Sequence, residues 1–412
     1  LTPQLPYPPH QGTTKGTTIR NFGLLSGLAQ RHDIHLLSFC THDDDLSGVQ
    51  PLQDACVAIH TVPEPVRTMS QRMWTMLASP LPDMAHRLAS PVFEATLRGV
   101  LSEQSFDVVE FEGIEMAPYL PLLLEHAMCV QQPPCLVFDD HNAEYVLQRR
   151  VFETDIRQPK RWPGALYSFI QWKKLRRFEA WACRHVDVVA AVSEVDARAL
   201  RQITLDQEIV VVPNGVDVAA YSTYAASRDV LPPRSLVFTG TMDYRPNVDA
   251  VLWFARHVWP LIQKAVPDAR FYVVGRRPHA RLASLSDQTG IAVTGSVPDT
   301  RPYIAGAAVY VVPLRSGGGT RLKVLEAMAM RCPIVSTTMG CDGFPVVSGR
   351  EVVLADEPEL FAREVTDLLR DSDRRNALGQ TGFEFAAAHY DWSAIVPLLE
   401  AAIEAKRVSP AM

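Results

Sequence analysis

The sequence predicts an α/β protein built from two doubly wound parallel sheets. Short β-branched or apolar runs alternate with longer helical stretches, the alternation comes as two consecutive series, and turn-rich loops follow several strand ends. A chain of 412 residues has room for two or three domains, each with its own core.

The first series places strands at 34–39, 57–62, 108–111, 136–138, 188–192 and 209–212. Leu1-Thr2-Pro3 reads as the tail of a strand entering a loop, so the first strand is expected to be truncated. The second series places strands at 236–239, 271–274, 291–294, 309–312, 334–336 and 351–354, with helices such as 248–266 and 357–369 between them. Tyr221–Arg234 is short of apolar periodicity and runs into Pro232-Pro233, which suits an interdomain connection. The expected domains are therefore 1–225 and 226–388. A last segment, 389–412, carries Trp392, Ile395, Leu398, Leu399 and Ile403 at helical spacing and reads as a capping helix.

Composition narrows the function classes. With 47% hydrophobic and 21% charged residues the chain is neither collagenous nor disordered. A net charge of −6 argues against a surface devoted to polyanions, so nucleic acid is not an expected partner. The longest uncharged apolar run, Ile304–Leu314, is far below the ~18–20 residues that cross a bilayer. Seven cysteines, with no C-x-x-C pair and no zinc-finger spacing, read as scattered thiols in a reducing cytosol. With no secretory signal in the sequence, the expected location is cytoplasmic.

Ligands of open parallel sheets bind at the carboxyl ends of the strands, and four loops there stand out. The strongest is Ser316-Gly317-Gly318-Gly319-Thr320-Arg321-Leu322-Lys323, a strand end passing through three glycines into a helix. Glycines let backbone N–H groups approach an anion, a helix start adds partial positive charge, and Arg321 and Lys323 add two full charges, so this turn can hold phosphate. Glu326, one turn on, can accept hydrogen bonds from a ribose diol. Neither a Walker A loop nor G-x-G-x-x-G occurs, which removes the main support for ATPase and NAD readings. The second loop is Asp139-Asp140-His141-Asn142-Ala143-Glu144, where a histidine among carboxylates can act as a base, a hydrogen-bond donor to a sugar, or a metal ligand. The third is the Gly/Thr-rich stretch from Pro8 to Asn21, containing Gly12 and Gly16. The fourth is the turn Pro213-Asn214-Gly215-Val216-Asp217.

Taken in order, these segments resemble the retaining glycosyltransferases of family 4, the group 1 glycosyl transferases with the GT-B fold of two facing Rossmann-like domains. The resemblance spans nearly the whole chain. It is carried by residues 213–217, 316–329 and Tyr390-Asp391-Trp392, with matches also at 187–194 and 238–243. It implies sugar transfer from a nucleotide diphosphate sugar with retention at the anomeric carbon and no essential metal or other cofactor. It also implies an acceptor in the first domain, the nucleotide in the second, and a C-terminal helix crossing back onto the first. By the same resemblance Glu326 takes the ribose, while Gly317, Gly318, Gly319 and Thr320 take phosphate and sugar. Gly12, Gly16, Gly240 and Asn247 line the donor, and His141 faces the reacting sugar, with Asp140, Asn142 and Glu144 in support.

The chain departs from the family pattern twice. Gly318 stands where members commonly carry a Glu, and Thr241 and Asn247 stand where many carry Arg and Lys. Arg321 and Lys323 are therefore expected to meet the diphosphate charge. Two alternatives stay open: a catalytically inactive GT-B scaffold, and a metal-dependent GT-A enzyme using Asp43-Asp44-Asp45. The acceptor is expected to be a saccharide or a lipid-linked saccharide in cell-surface polysaccharide or glycoconjugate synthesis. Between Arg157 and Arg184 eight basic residues face Glu179 alone, with aromatics interleaved. That pattern suits either peripheral contact with the inner membrane face or a solvated helix face.

Overall fold

The structure is a computed structural model that describes residues 1–7, 16–41, 50–204, 206–226, 230–285, 287–317 and 321–408. The chain forms two units, Leu1–Pro213 with the chain from Ile395 onward, and Asn214–Ala394. The division thus falls upstream of the expected boundary at 225. It does so because Tyr221, taken from the sequence as part of a connection, is 4% exposed in the core of the second unit.

In the first unit β1 (His35–Cys40) pairs in parallel with β2 (Ala58–Pro63). A second parallel set runs β3 (Val108–Glu112), β4 (Cys135–Asp140), β5 (Val188–Ala191) and β6 (Ile209–Val211). Leu1 and Thr2 lie between the two sets: Thr2 N donates to Leu37 O, and Glu112 N donates to Leu1 O. β4 is buried along its whole length, as expected of a strand covered on both faces. The stacked pairs Phe39–Phe93 and Phe111–Phe138 anchor this core, each ring contributing about 2–3 kcal/mol of burial.

The C-terminal helix Trp392–Val408 buries Ile395, Val396, Leu399 and Ile403. Val396 packs against Gly27, where a Cβ would sit 2.4 Å from a Val396 methyl, so that helix crossing needs glycine. Arg407 reaches Asp107 at 2.6 Å, and Arg31 pairs with Glu400.

The second unit is one six-stranded parallel sheet: β7 (Ser235–Thr239), β8 (Arg270–Val274), β9 (Ile291–Gly295), β10 (Val309–Val312), β11 (Ile334–Ser336) and β12 (Val353–Leu354). Their spatial order, β12-β11-β10-β7-β8-β9, reverses direction between β7 and β10. That reversal is the switch point at which doubly wound sheets open a ligand crevice. The single helix expected over 248–266 is instead Arg245–Trp253, a π turn over Phe254–Val258, and Trp259–Ala265. Pro260 explains the interruption, since it has no N–H to continue the ladder.

Candidate functional site

In the first unit the carboxyl ends of β3 and β4 place Glu112 directly beside Asp139. Two buried acids side by side need positive charge, and Arg20 of the helix Gly16–Leu28 supplies it. Its Nε and Nη2 donate to the two Asp139 oxygens at 2.7 Å each, and its Nη1 donates to the Pro213 carbonyl at 3.1 Å. Burial alone would raise the Asp139 pKa, but the Arg20 guanidinium more than offsets it and holds this carboxyl below its ordinary value.

For Glu112 the Arg20 charge does not offset burial. Burial and the Asp139 charge push it well above the carboxylate range. Its Oε2 lies 2.7 Å from His141 Nε2, and burial lowers the His141 pKa. The Glu112 carboxyl thus holds the ring at its Nε2 edge and leaves Nδ1 on the other side. That nitrogen lies beside Gly113, whose φ of +80° requires glycine and where a Cβ would sit 3.5 Å from it. His141, Asn142, Thr17, Thr18, Tyr7 and Glu115 line a cavity of about 290 Å³. The arrangement offers a histidine ring nitrogen to a ligand hydroxyl, which can donate to it or accept from it.

Glu112, Asp139 and His141 bring potential ligand atoms within 4.8 Å of one another. A cation there would have to displace the Arg20 guanidinium from Asp139, so the donor set suits an ion pair rather than a metal.

The loop itself is pinned from behind. Glu179, fully buried in the helix Trp162–Arg184, accepts from the Glu144 and Tyr145 amides at 2.7 and 3.1 Å, and Asp196 accepts from the Ala143 amide at 3.2 Å. Asp140 is 1% exposed. Burial and the Glu179 carboxyl push it well above its usual range, and burial likewise raises Glu179 to about 8. Glu144, raised to about 7 by burial, accepts from the Asn142 amide at 3.4 Å. Asp140, Asn142 and Glu144 therefore sit behind or beside His141, while the residue that holds its ring is Glu112. Sequence reasoning missed Glu112 and Arg20. Parallel strand register could have exposed the first, since the ends of consecutive strands lie side by side.

In the second unit the loops after β7 and β10 flank the switch point. Lys323, in the first turn of the helix Leu322–Ala329, donates to Thr239 O at 2.7 Å and Asn247 Oδ1 at 3.1 Å, and lies 4.2 Å from the centre of the Phe238 ring. Loss of water is the main cause that brings its pKa down to about 7, with Arg321 adding repulsion and Glu326 opposing. Asn247 Nδ2 in turn donates to Thr241 O at 3.0 Å. A Cβ at Gly240 would lie 2.7 Å from Asn247 Nδ2 and 3.0 Å from Lys323 Nζ, and one at Gly275 would collide with Gly240 O at 1.7 Å. Two backbones meet there with no room for side chains.

Gly317 adopts φ +116°, and a Cβ on it would lie 3.4 Å from the Arg321 guanidinium. Arg321 is 7% exposed, and desolvation lowers its pKa. Glu326 Oε1 accepts from the Tyr221 hydroxyl at 3.2 Å, and burial raises its pKa. Gly240, Asn247, Arg321, Lys323 and Glu326 thus gather at the carboxyl ends of β7 and β10. Gly16 opens the first helix of the other unit. Gly12, Gly318, Gly319, Thr320 and the Asp43–Asp45 run of the GT-A alternative lie outside the described residues.

Two Rossmann-like units of this kind make the GT-B fold. Solved structures of that fold overlie nearly the whole chain: Anabaena HepE in complex with UDP and glucose (TM-score 0.61, 13% identity, 98% of this chain and 99% of that one) and sucrose-phosphate synthase from Thermosynechococcus elongatus (TM-score 0.68, 15% identity, 99% of each). The GT-A alternative falls with this fold. The family described as "Glycosyltransferase Family 4" matches residues 15–220, and that described as "Glycosyl transferases group 1" matches residues 233–371. The chain belongs to the group 1, family 4 glycosyltransferases.

Among curated relatives, a Klebsiella pneumoniae protein described as "Uncharacterized 44.6 kDa protein in cps region" is 24% identical over 165 residues, covering 38% of this chain and 42% of that protein. The phosphatidyl-myo-inositol mannosyltransferase of Mycobacterium tuberculosis (strain CDC 1551 / Oshkosh) is 29% identical over 229 residues, covering 51% of this chain and 58% of the relative. The chain thus spans about half the length of the curated relatives it matches.

Proposed function

We propose that this protein is a retaining, metal-independent glycosyltransferase that moves a sugar from a nucleotide diphosphate sugar to a saccharide or lipid-linked acceptor. The observation that carries this reading is the Lys323 ammonium. Among the described residues it makes no ion pair and hydrogen-bonds only neutral oxygens, at a glycine-lined switch point. A positive charge held out of water without a counter-ion is a site for an anion, and Glu326 nearby supplies an acceptor for ribose hydroxyls.

The relatives support a surface-glycan role: one is described by its cps region and another acts on phosphatidyl-myo-inositol. The corresponding location is the cytoplasmic side of the membrane. Among the described residues no helix is long and apolar enough to cross a bilayer.

Chemistry follows from the residues present. No Asp or Glu lies between Ser316 and Leu325, so the donor loop offers no carboxylate nucleophile for a covalent sugar intermediate. The acceptor attacks on the face that the diphosphate leaves, and the departing diphosphate oxygen takes the acceptor's proton. His141 hydrogen-bonds the transferring sugar and stabilises its oxocarbenium-like state, partly through its backbone carbonyl. Arg321 and Lys323 meet the diphosphate charge, so activity survives EDTA. A screen of nucleotide sugars for thermal stabilisation and hydrolysis tests the assignment. Stabilisation by none of them, or turnover that EDTA abolishes and Mn²⁺ restores, contradicts it.

Membrane contact through the 157–184 segment is favoured by Trp162 and Leu166, which are 59% and 62% exposed and share a helix with the exposed Lys173, Arg176 and Arg177. Lys174 ties that helix to Met76 O and Ser79 O at 2.7 Å each, beside the exposed Met73 and Trp74. Binding to anionic vesicles should fall with salt and with the Lys173/Arg176/Arg177→Ala change. No sedimentation with vesicles at low salt leaves this face as ordinary solvated surface.

A further inference from the structure

Two motifs of the second unit, Asn214–Asp217 and Tyr390–Trp392, make contacts that converge on one short helix, Val218–Ser222. Val216 N donates to Tyr390 O at 2.8 Å, and Val218 N donates to Asp391 Oδ2 at 3.0 Å. Asp217 caps the same turn, its Oδ1 accepting from Ala220 N at 2.8 Å. The start of this helix is thereby fixed by two carboxylates and a backbone bridge.

What the helix presents is Tyr221. The ring is 4% exposed, so it reaches no ligand itself, and its hydroxyl donates to Glu326 Oε1 at 3.2 Å. Burial and the Glu326 carboxylate push the phenol pKa well above its ordinary 10, so the group remains an O–H donor throughout the working pH range. Glu326 is only partly buried, and among the described residues its Oε2 receives no hydrogen bond.

We propose that Tyr221 is a positioning residue for the donor ribose: it fixes one oxygen of Glu326 and leaves the other set toward the diol. The inference rests on the assignment of Glu326 to ribose. A glutamate on a helix surface otherwise samples several rotamers and must lose that freedom when ligand binds. A phenylalanine at 221 would preserve the packing and abolish the constraint. On this account the 213–217 and 390–392 motifs matter to donor binding through Tyr221, at second hand.

The test measures dissociation constants by calorimetry for UDP, GDP, ADP and CDP, and for the 2′,3′-dideoxy form of whichever binds tightest. Tyr221→Phe should raise the ribonucleotide Kd about five- to tenfold, as for one lost hydrogen bond, while the dideoxy Kd stays within about twofold. Glu326→Gln should show the same selective loss, and adding Tyr221→Phe to it should change nothing further. Asp391→Ala, remote from the nucleotide, should give the same selectivity in smaller measure, and it carries the test if Tyr221→Phe fails to fold. An equal rise for both nucleotides, or no rise for either, overturns the role of Tyr221 alone. A wild-type protein that binds none of the four nucleotides overturns the donor-site assignment itself, and this inference with it.

Discussion

Removing Lys323 from water should be measurable as a proton taken up on binding. With its pKa down at about 7, this side chain is only partly charged in the free protein above neutrality. A diphosphate beside it favours the ammonium, so binding draws a proton onto Nζ. For a free value near 7 and a bound value above about 9, affinity for a nucleotide sugar falls about fivefold between pH 7 and pH 8, and about 0.8–0.9 proton is taken up per ligand at pH 8. A nucleotide sugar is the suitable ligand because its diphosphate has no oxygen that titrates in this window. Calorimetry in two buffers of different ionisation enthalpy counts the proton directly. Lys323→Met should weaken binding by about 1–3 kcal/mol at pH 7 and remove the pH dependence. The same residue has a sign in stability. Its folded pKa lies below the unfolded 10.5, so the unfolded chain binds more protons between about pH 7 and 10.5, and this contribution to stability rises with pH across that window. Affinity that is flat from pH 7 to pH 8, with heats independent of buffer, would refute the argument.

Three further outcomes follow from the same geometry. Arg20→Met leaves the Asp139 carboxylate buried and uncompensated and should destabilise the first unit by about 3–5 kcal/mol, read by thermal or denaturant melting; a melting curve like that of the wild type would mean Asp139 takes up a proton at little cost. Glu112→Gln keeps the shape but replaces the carboxyl that holds the His141 ring, so the turnover number should fall roughly tenfold with donor affinity unchanged, whereas His141→Ala should cost about a hundredfold or more. Gly275→Ala drives a methyl into the Gly240 carbonyl and should destabilise the second unit by more than about 2 kcal/mol while abolishing nucleotide binding; a stable, binding-competent variant would show that the two loops can part.

Much of this was readable before any coordinates. Runs such as Val309–Val312 and Ile334–Ser336 announce buried parallel strands by their concentration of β-branched residues, and both series of strands fall where such runs lie. The 316–326 loop advertised itself through glycines and cations packed at a helix start. Arg20 did not, because a buried arginine inside a helix has no periodic signature and makes sense only once Asp139 arrives from a strand more than a hundred residues away. Glu112 was hidden for a related reason: alternation along one strand says which face a residue occupies, while only the register with β4 says that His141 is its neighbour. Tyr221 lay in a stretch too short to show a helical period, so its burial against the second sheet could not be read from spacing.

Sugar transfer with retention is decided at the anomeric centre of the product. The nucleotide sugar that most stabilises the protein would be incubated with it and an acceptor mixture, and the anomeric configuration of the glycoside formed would be read by NMR. The expected product has the anomeric configuration of the donor, forms equally well in EDTA and forms at least about a hundredfold more slowly with His141→Ala. A product of inverted configuration, or a His141→Ala enzyme that turns over like the wild type, would contradict it.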